Sequence, residues 1–200
     1  MINIQTVKIS YDKLLTRLGY LHDKTKNNVK IIISIKENLS LAQKLIIPKF
    51  AIAVEKISLY KNLISFENGY EIKSSNVAFL LKKCFKAYGI VATIGNALEK
   101  KRDELLKNGE ILNAFILDAA GSVAAEEVVI VAMSKIKLQE KKNNNTLTKR
   151  YSPGYGDWTL KENKQFLNWI GASYINITLD KSYRMNPEKT VSALIGIKKA

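Results

Sequence analysis

The chain has 200 residues, an apolar share of 46% and a formal charge of +14, long enough for one hydrophobic core and too apolar for a disordered segment. A single cysteine, Cys84, excludes an internal disulfide, and with His22 as the only histidine there is no familiar zinc or haem ligand set. No basic stretch leading into an apolar run opens the chain, so no signal peptide is expected and the cytoplasm is the natural compartment.

In chain order, Ile2, Ile4, Val7 and Ile9 alternate, with one slip, as a short strand. Tyr11 to Leu18 fits a helix closed by Gly19, and His22 falls in the polar turn that follows, a surface residue with no second metal-binding side chain near it. Val29 to Ile35 is a β-branched run, read as a strand or the end of a polar connection. Asn38 then caps a helix through Ile47, which Pro48 stops. Phe50 to Ile57 and Ser58 to Phe66 read as strand material, with Glu67-Asn68-Gly69 as a turn. Ser74 or Ser75 caps a helix through Lys83, and Cys84 is a small packed residue on it. Tyr88 to Gly95 is a compact apolar strand, and Ala97 to Lys107 a helix ended by Asn108-Gly109.

Glu110 to Leu138 is the longest helix expected. It is apolar nearly all round and so belongs at the centre of the fold. Asn113, Asp118, Glu126 and Glu127 interrupt its most apolar run, Ile111 to Met133, which argues against a membrane span. Carboxylates on such a helix need partners. Glu126 and Glu127 either pair with lysines, or one of them faces a ligand. Glu140 to Lys149 reads as a polar, Asn-rich loop. Leu160, Phe166, Leu167 and Ile170 mark a helical face ending at Gly171. Tyr174 to Leu179 and Thr190 to Ile197 read as closing strands, with Pro187-Glu188-Lys189 between them. The expected architecture is α+β: one domain over residues 1–200 with a twisted, mainly antiparallel sheet flanked by helices.

The stretch Arg150-Tyr151-Ser152-Pro153-Gly154-Tyr155-Gly156-Asp157-Trp158 stands apart from the rest of the chain. Arg150 supplies a planar, permanently charged fork for a carboxylate or phosphate. Pro153 presses Ser152 towards an extended backbone, and Gly154 and Gly156 let a ligand approach the main chain. Tyr151, Tyr155 and Trp158 offer flat faces for a ring or a cation. This is the composition of a small-molecule clamp. A helix-entry turn is the plainer alternative, since Thr159-x-x-Glu162 has the form of a capping box.

Arg150-x-x-x-Gly154-Tyr155 resembles the Arg-x-x-x-Gly-Tyr signature of the activation domain of cobalamin-dependent methionine synthase. Ile177-Thr178-Leu179 and Ser182-x-x-Met185-x-Pro187-x-x-Thr190-Val191-Ser192-Ala193 resemble the family's segment after that signature. Upstream, Ala92-Thr93-Ile94-Gly95 and Leu117-Asp118-Ala119-Ala120-Gly121-Ser122 look like segments of short stand-alone members. Met185 and Ser192 fit this pattern, although packing and turn support are the plainer reading of both. The resemblance implies a module that binds S-adenosylmethionine while the synthase's oxidised cob(II)alamin is returned to service. A flavodoxin-type donor would supply one electron and the sulfonium a methyl group, trapping the scarce cob(I)alamin. Arg150 would anchor the methionine carboxylate, Pro153, Gly154 and Tyr155 would line the ligand, and Glu126 or Glu127 would favour the sulfonium.

The motif that supplies cobalt's lower ligand is absent from the chain, so cobalamin would arrive on a partner polypeptide. The chain would then be a component of a methyltransferase activity rather than a complete enzyme. Two other readings stay open. One changes the client to another corrinoid-dependent methyltransferase. The other is a basic nucleic-acid or protein-binding module, invited by the charge, although the lysines are scattered rather than striped and the excess of Lys, Asn and Ile is explained equally by compositional bias.

Overall fold

The computed structural model describes residues 7–20 and 28–200, together with the backbone of residues 2–3. Ile4 and His22 lie outside the described residues. Strand β1 (Ile2–Asn3) is followed by helix α1 (Tyr11–Arg17), whose N-cap Ser10 accepts from the amide of Lys13. Val7 and Ile9 are buried but belong to no strand. Gln43 serves them instead: its Oε1 accepts from the Ile9 amide at 3.0 Å and its Nε2 donates to the Val7 carbonyl at 2.7 Å.

Helix α2 (Val29–Leu45) corrects the reading of Val29 to Ile35 as strand or connection. Ile31, Ile35, Leu39 and Ala42 fall on one helical face and pack into the core, whereas Val29 and Ile33 are exposed. The β-branched preference for strands is thereby overridden by burial of that face. The cap is Asn28, whose side chain accepts from the amides of Lys30 and Ile31. Asn38 is no cap but a buried mid-helix amide, donating to Ser34 O and to Asn113 Oδ1, both at 2.9 Å.

The sheet follows. Strand β2 (Lys49–Tyr60) turns through Lys61-Asn62 into β3 (Leu63–Phe66) and β4 (Glu71–Lys73). Helix α3 (Ser75–Leu81) is capped by Ser74, and β5 (Lys86–Thr93) and helix α4 (Ala97–Lys107) come next. Helix α5 runs from Ile111 to Lys142, 32 residues, about 48 Å at 1.5 Å per residue. It therefore overruns the start of the expected loop at Glu140, and β6 (Asn145–Leu147) lies within what remained of that loop.

After the 150–158 loop a 3₁₀ turn (Leu160–Glu162) enters helix α6 (Asn163–Ile170), which Gly171 ends in the left-handed region. Thr159 makes no capping bond, so the expected capping box does not form. Residues Ala172–Ile175 are a second 3₁₀ turn rather than strand, and only Thr178–Leu179 (β7) pairs, with Met185–Asn186 (β8), before β9 (Thr190–Lys199) closes the fold.

The main sheet is antiparallel, in the order β4-β3-β2-β5-β9-β6, with β1 on the end of β2. Both its faces are covered. Alternate residues of β5 and β9, including Tyr88, Ile90, Ala193 and Ile195, meet α5 and its neighbours α1, α2 and α4. The other set, including Val91 and Leu194, meets α3 and α6. Gly89 of β5 is required by this second layer, because a Cβ there would fall 2.5 Å from the Trp169 ring and 2.8 Å from Ile170. Double coverage is why the central strands read as unbroken apolar runs. No described helix is long and apolar enough to cross a membrane.

Candidate functional site

The 150–158 loop is fastened at several points. The Tyr151 amide donates to Leu194 O at 3.0 Å and Leu194 N to Tyr151 O at 2.7 Å, so the loop borders β9 beyond the point where β6 stops pairing with it. Ser152 Oγ donates to the Ser192 carbonyl at 2.6 Å. Gly154 N donates to Trp158 O at 2.7 Å and Trp158 N to Tyr155 O at 3.1 Å, closing a turn in which Gly154 and Gly156 have φ of 96° and 56°. Asp157 sits over the start of α3, accepting from Ser74 Oγ and from the amides of Ser75 and Asn76. Those bonds, that from Ser74 foremost, hold its carboxyl below the ordinary carboxylate range. Trp158 plunges into the second core, its ring edge-on to Phe166 at 5.1 Å and stacked over Tyr151 at 6.3 Å.

Beside this loop lies a cavity of about 370 Å³, within the size range of small-molecule sites. Pro153 and Tyr155 of the loop, Leu160 just before α6 and Asn163 at its start, Arg184 and Met185 of the β7–β8 hairpin, Glu126 of α5, and Glu188 and Thr190–Ser192 at the entry to β9 form its walls. Both signs of charge are present. Glu126 Oε2 accepts from Arg150 Nη2 at 2.7 Å. Glu188 Oε2 accepts from Arg102 Nη1 at 2.6 Å, and the same nitrogen reaches Asp118 Oδ1 at 2.9 Å.

The wall at 188–190 is braced from below. Lys189 Nζ donates to Ser122 Oγ at 3.0 Å and pairs with Asp118 at 2.8 Å, while its amide donates to Glu99 Oε1 at 2.8 Å. Burial pushes the Glu99 carboxyl up. Burial would do the same to Asp118, but the bonds from Lys189 and Arg102 prevail and hold that carboxyl low.

The residues singled out from sequence meet here unequally. Pro153 and Tyr155 line the cavity, Tyr155 with 66% of its surface open. Arg150 stands behind Glu126 rather than in the wall. Gly154 spends its amide inside the turn, and a Cβ there would meet Leu160 at 2.9 Å. Trp158, 1% exposed, offers no free face. Glu126 turns to the site, whereas Glu127 pairs with Lys13 of α1 at 2.7 Å. Met185 and Ser192 both line the cavity, so packing and turn support do not exhaust their surroundings.

Arg184, Glu188, Asn163 and Leu160 were missed as site residues: Leu160 and Asn163 read as part of a helical approach, and Arg184 and Glu188 fall at positions of the 182–193 stretch that the resemblance leaves unspecified. Among the described residues no three of His, Cys, Asp and Glu gather as a metal site. A larger groove of about 610 Å³ between Val7–Ile9 and α2 has lysines alone as its charged groups.

These features define an α+β domain with a small charged cavity at one end of an antiparallel sheet. By sequence, no known family and no curated protein matches the chain. By structure, it is similar to the crystal structure of the MetH reactivation domain bound to AdoHcy, with a TM-score of 0.70, covering 95% of this chain and 74% of that one. At 10% identity the likeness is one of fold.

Proposed function

We propose that this chain, residues 1–200 as one unit, is an S-adenosylmethionine-binding activation module that supports reductive methylation of cob(II)alamin on a separate cobalamin-dependent methionine synthase. One observation carries the reading: the loop bearing Arg150-x-x-x-Gly154-Tyr155 borders a cavity of suitable size whose walls hold the carboxylates of Glu126 and Glu188 and the guanidinium of Arg184, with Arg150 paired to Glu126 behind them. A ligand with a carboxylate, an ammonium and a sulfonium needs both signs within one amino-acid length. The apolar walls at Pro153, Leu160, Met185 and Val191, with the open Tyr155 ring, suit its nucleoside. The shared fold with an AdoHcy-bound reactivation domain supports the same assignment.

Arg150 and Glu126 then act as a unit at the amino-acid end, with Pro153, Gly154 and Tyr155 as the remaining ligand set. Glu126, not Glu127, is the carboxylate that favours a sulfonium over a neutral thioether. Cobalamin, held by the partner chain, would supply the one-electron and methyl-accepting chemistry, with a flavodoxin-type protein as the electron source. This chain contributes proximity, holding the donor in a fixed pose on a loop that is already ordered.

Calorimetric titration of S-adenosylmethionine and AdoHcy into the purified protein, with and without a cobalamin-loaded synthase, tests the proposal. Saturable binding at one site per chain is expected, abolished in Arg150→Ala while the circular dichroism stays that of the wild type. Absence of heat with both ligands in the wild type sinks it.

A further inference from the structure

Two arginines flank the cavity, and they are held differently. Arg150 gives Nη2 to Glu126, a charge that the ligand must share or displace. Arg184 lines the cavity directly. It is tethered through Nε, which donates to Asp180 Oδ2 at 2.9 Å, and among the described residues neither of its Nη groups has a partner.

The tether is firm. Asp180 also accepts the amides of Ser182 at 2.7 Å and Arg184 at 2.9 Å. The intervening Tyr183, at a φ of 62°, accepts at its carbonyl from Asn163 Nδ2 at 3.0 Å. The amide of Arg184, then the side chain of Arg184 and the amide of Ser182, keep the Asp180 carboxyl below the ordinary range despite some desolvation, so the tether persists through neutral pH. A guanidinium fixed by Nε and open at both Nη atoms presents the planar fork that takes a carboxylate in two parallel bonds.

We propose that Arg184 is a ligand-binding residue that grips the carboxylate of the amino-acid end of the bound nucleoside, and so makes the site select an amino-acid-bearing nucleoside over one without it. This rests on the reading of the cavity as an S-adenosylmethionine site. The carboxylate then goes to Arg184 and not, as the resemblance implies, to Arg150, which holds Glu126 in place; Glu126 and Glu188 remain for the ammonium and the sulfonium. Arg184 is then the residue that distinguishes AdoHcy from 5′-methylthioadenosine, which has the same nucleoside and thioether but no amino-acid end.

The experiment is calorimetric titration of AdoHcy and of 5′-methylthioadenosine into the full chain as wild type, Arg184→Ala and Arg184→Lys. Loss of a hydrogen-bonded charge contact predicts that Arg184→Ala weakens AdoHcy by about tenfold or more, leaves 5′-methylthioadenosine unchanged, and that Arg184→Lys recovers part of the loss. Wild-type binding of AdoHcy with Arg184→Ala equal to it overturns the proposal while leaving the S-adenosylmethionine reading intact. Equal weakening of both ligands assigns Arg184 to shaping the hairpin and also overturns it. A wild type that binds neither ligand removes the reading on which it rests.

Discussion

Glu126 in the middle of α5 and Arg150 at the mouth of the loop are 24 residues apart in sequence and joined by a 2.7 Å bond between Oε2 and Nη2. Both side chains are about two-fifths exposed, at 43% and 38%, so their pairing contributes at most about 1 kcal/mol to stability. Its consequence is chemical: the cavity acquires a fixed anion with a cation behind it. Glu126→Gln keeps the shape and removes the charge. The expected result is a several-fold loss of preference for S-adenosylmethionine over AdoHcy, since only the former carries a sulfonium. Competition calorimetry reads that ratio, and an unchanged ratio removes Glu126 from the sulfonium side.

Gly156 carries a second prediction. Its φ of 56° lies in the left-handed region, and a Cβ there would run into Asn76 Nδ2 and the Tyr151 hydroxyl. Gly156→Ala therefore combines backbone strain of about 1–2 kcal/mol with displacement of the ring that stacks on Trp158. Urea unfolding should show a lowered midpoint with unchanged slope, and AdoHcy affinity should fall. Full wild-type stability would mean that the loop adopts another turn.

Asp157→Asn tests whether the loop is held by charge or only by shape. The carboxylate faces the Ser75 and Asn76 amides at the N-terminal end of α3, where negative charge is favoured. Because its folded pKa is depressed, the stabilisation it gives is present above the unfolded value and disappears as pH falls through the folded one. The variant should flatten that acid limb and speed amide exchange at Ser75 and Asn76. Identical exchange in variant and wild type argues against the tether.

The most buried charge in the described structure lies at the other end of the sheet. Glu140, fully buried, accepts from Lys86 Nζ at 2.8 Å, Tyr88 Oη at 2.6 Å and Asn145 Nδ2 at 2.7 Å. Burial alone would raise its carboxyl, but these bonds outweigh it and lower the pKa below 4.5. A depressed carboxylate stabilises the fold above its unfolded pKa, and that contribution is lost as pH drops through the folded value. Lys86→Ala leaves the charge buried with two neutral donors and should cost on the order of 3 kcal/mol, measured by denaturation at pH 7. The loss should shrink as pH falls, because the variant's unpaired carboxyl protonates before the wild type's does. A cost independent of pH would mean that the lysine acts through packing alone.

Much was legible before any coordinates. Ala97–Lys107 is bounded by its own Asn-Gly stop and Tyr11–Arg17 by Gly19, while Ser74 caps α3 as its position indicates. Where packing took over, reading failed: Val29–Ile35 has strand chemistry but a helical burial face, and Glu140–Lys149 looks like loop because its buried carboxylate and its short strand acquire meaning only against β5 and β9. The motif loop was found by composition, but its allotment of roles was not. Trp158 proved to be core and Gly154 turned its amide inwards, whereas Arg184 and Glu188 entered from positions that the resemblance over 182–193 leaves unspecified.

Sequence by itself determined the local matters: which stretches alternate, where caps and glycines end helices, and that Arg150 to Trp158 is unlike the rest of the chain. Those properties are set by neighbours within one turn or one hairpin. The tertiary structure alone decided that Glu126 rather than Glu127 faces the cavity and that Arg184 joins it in the wall. Adjacent residues on a helix point about 100° apart, and only the surrounding elements determine which direction is the inside.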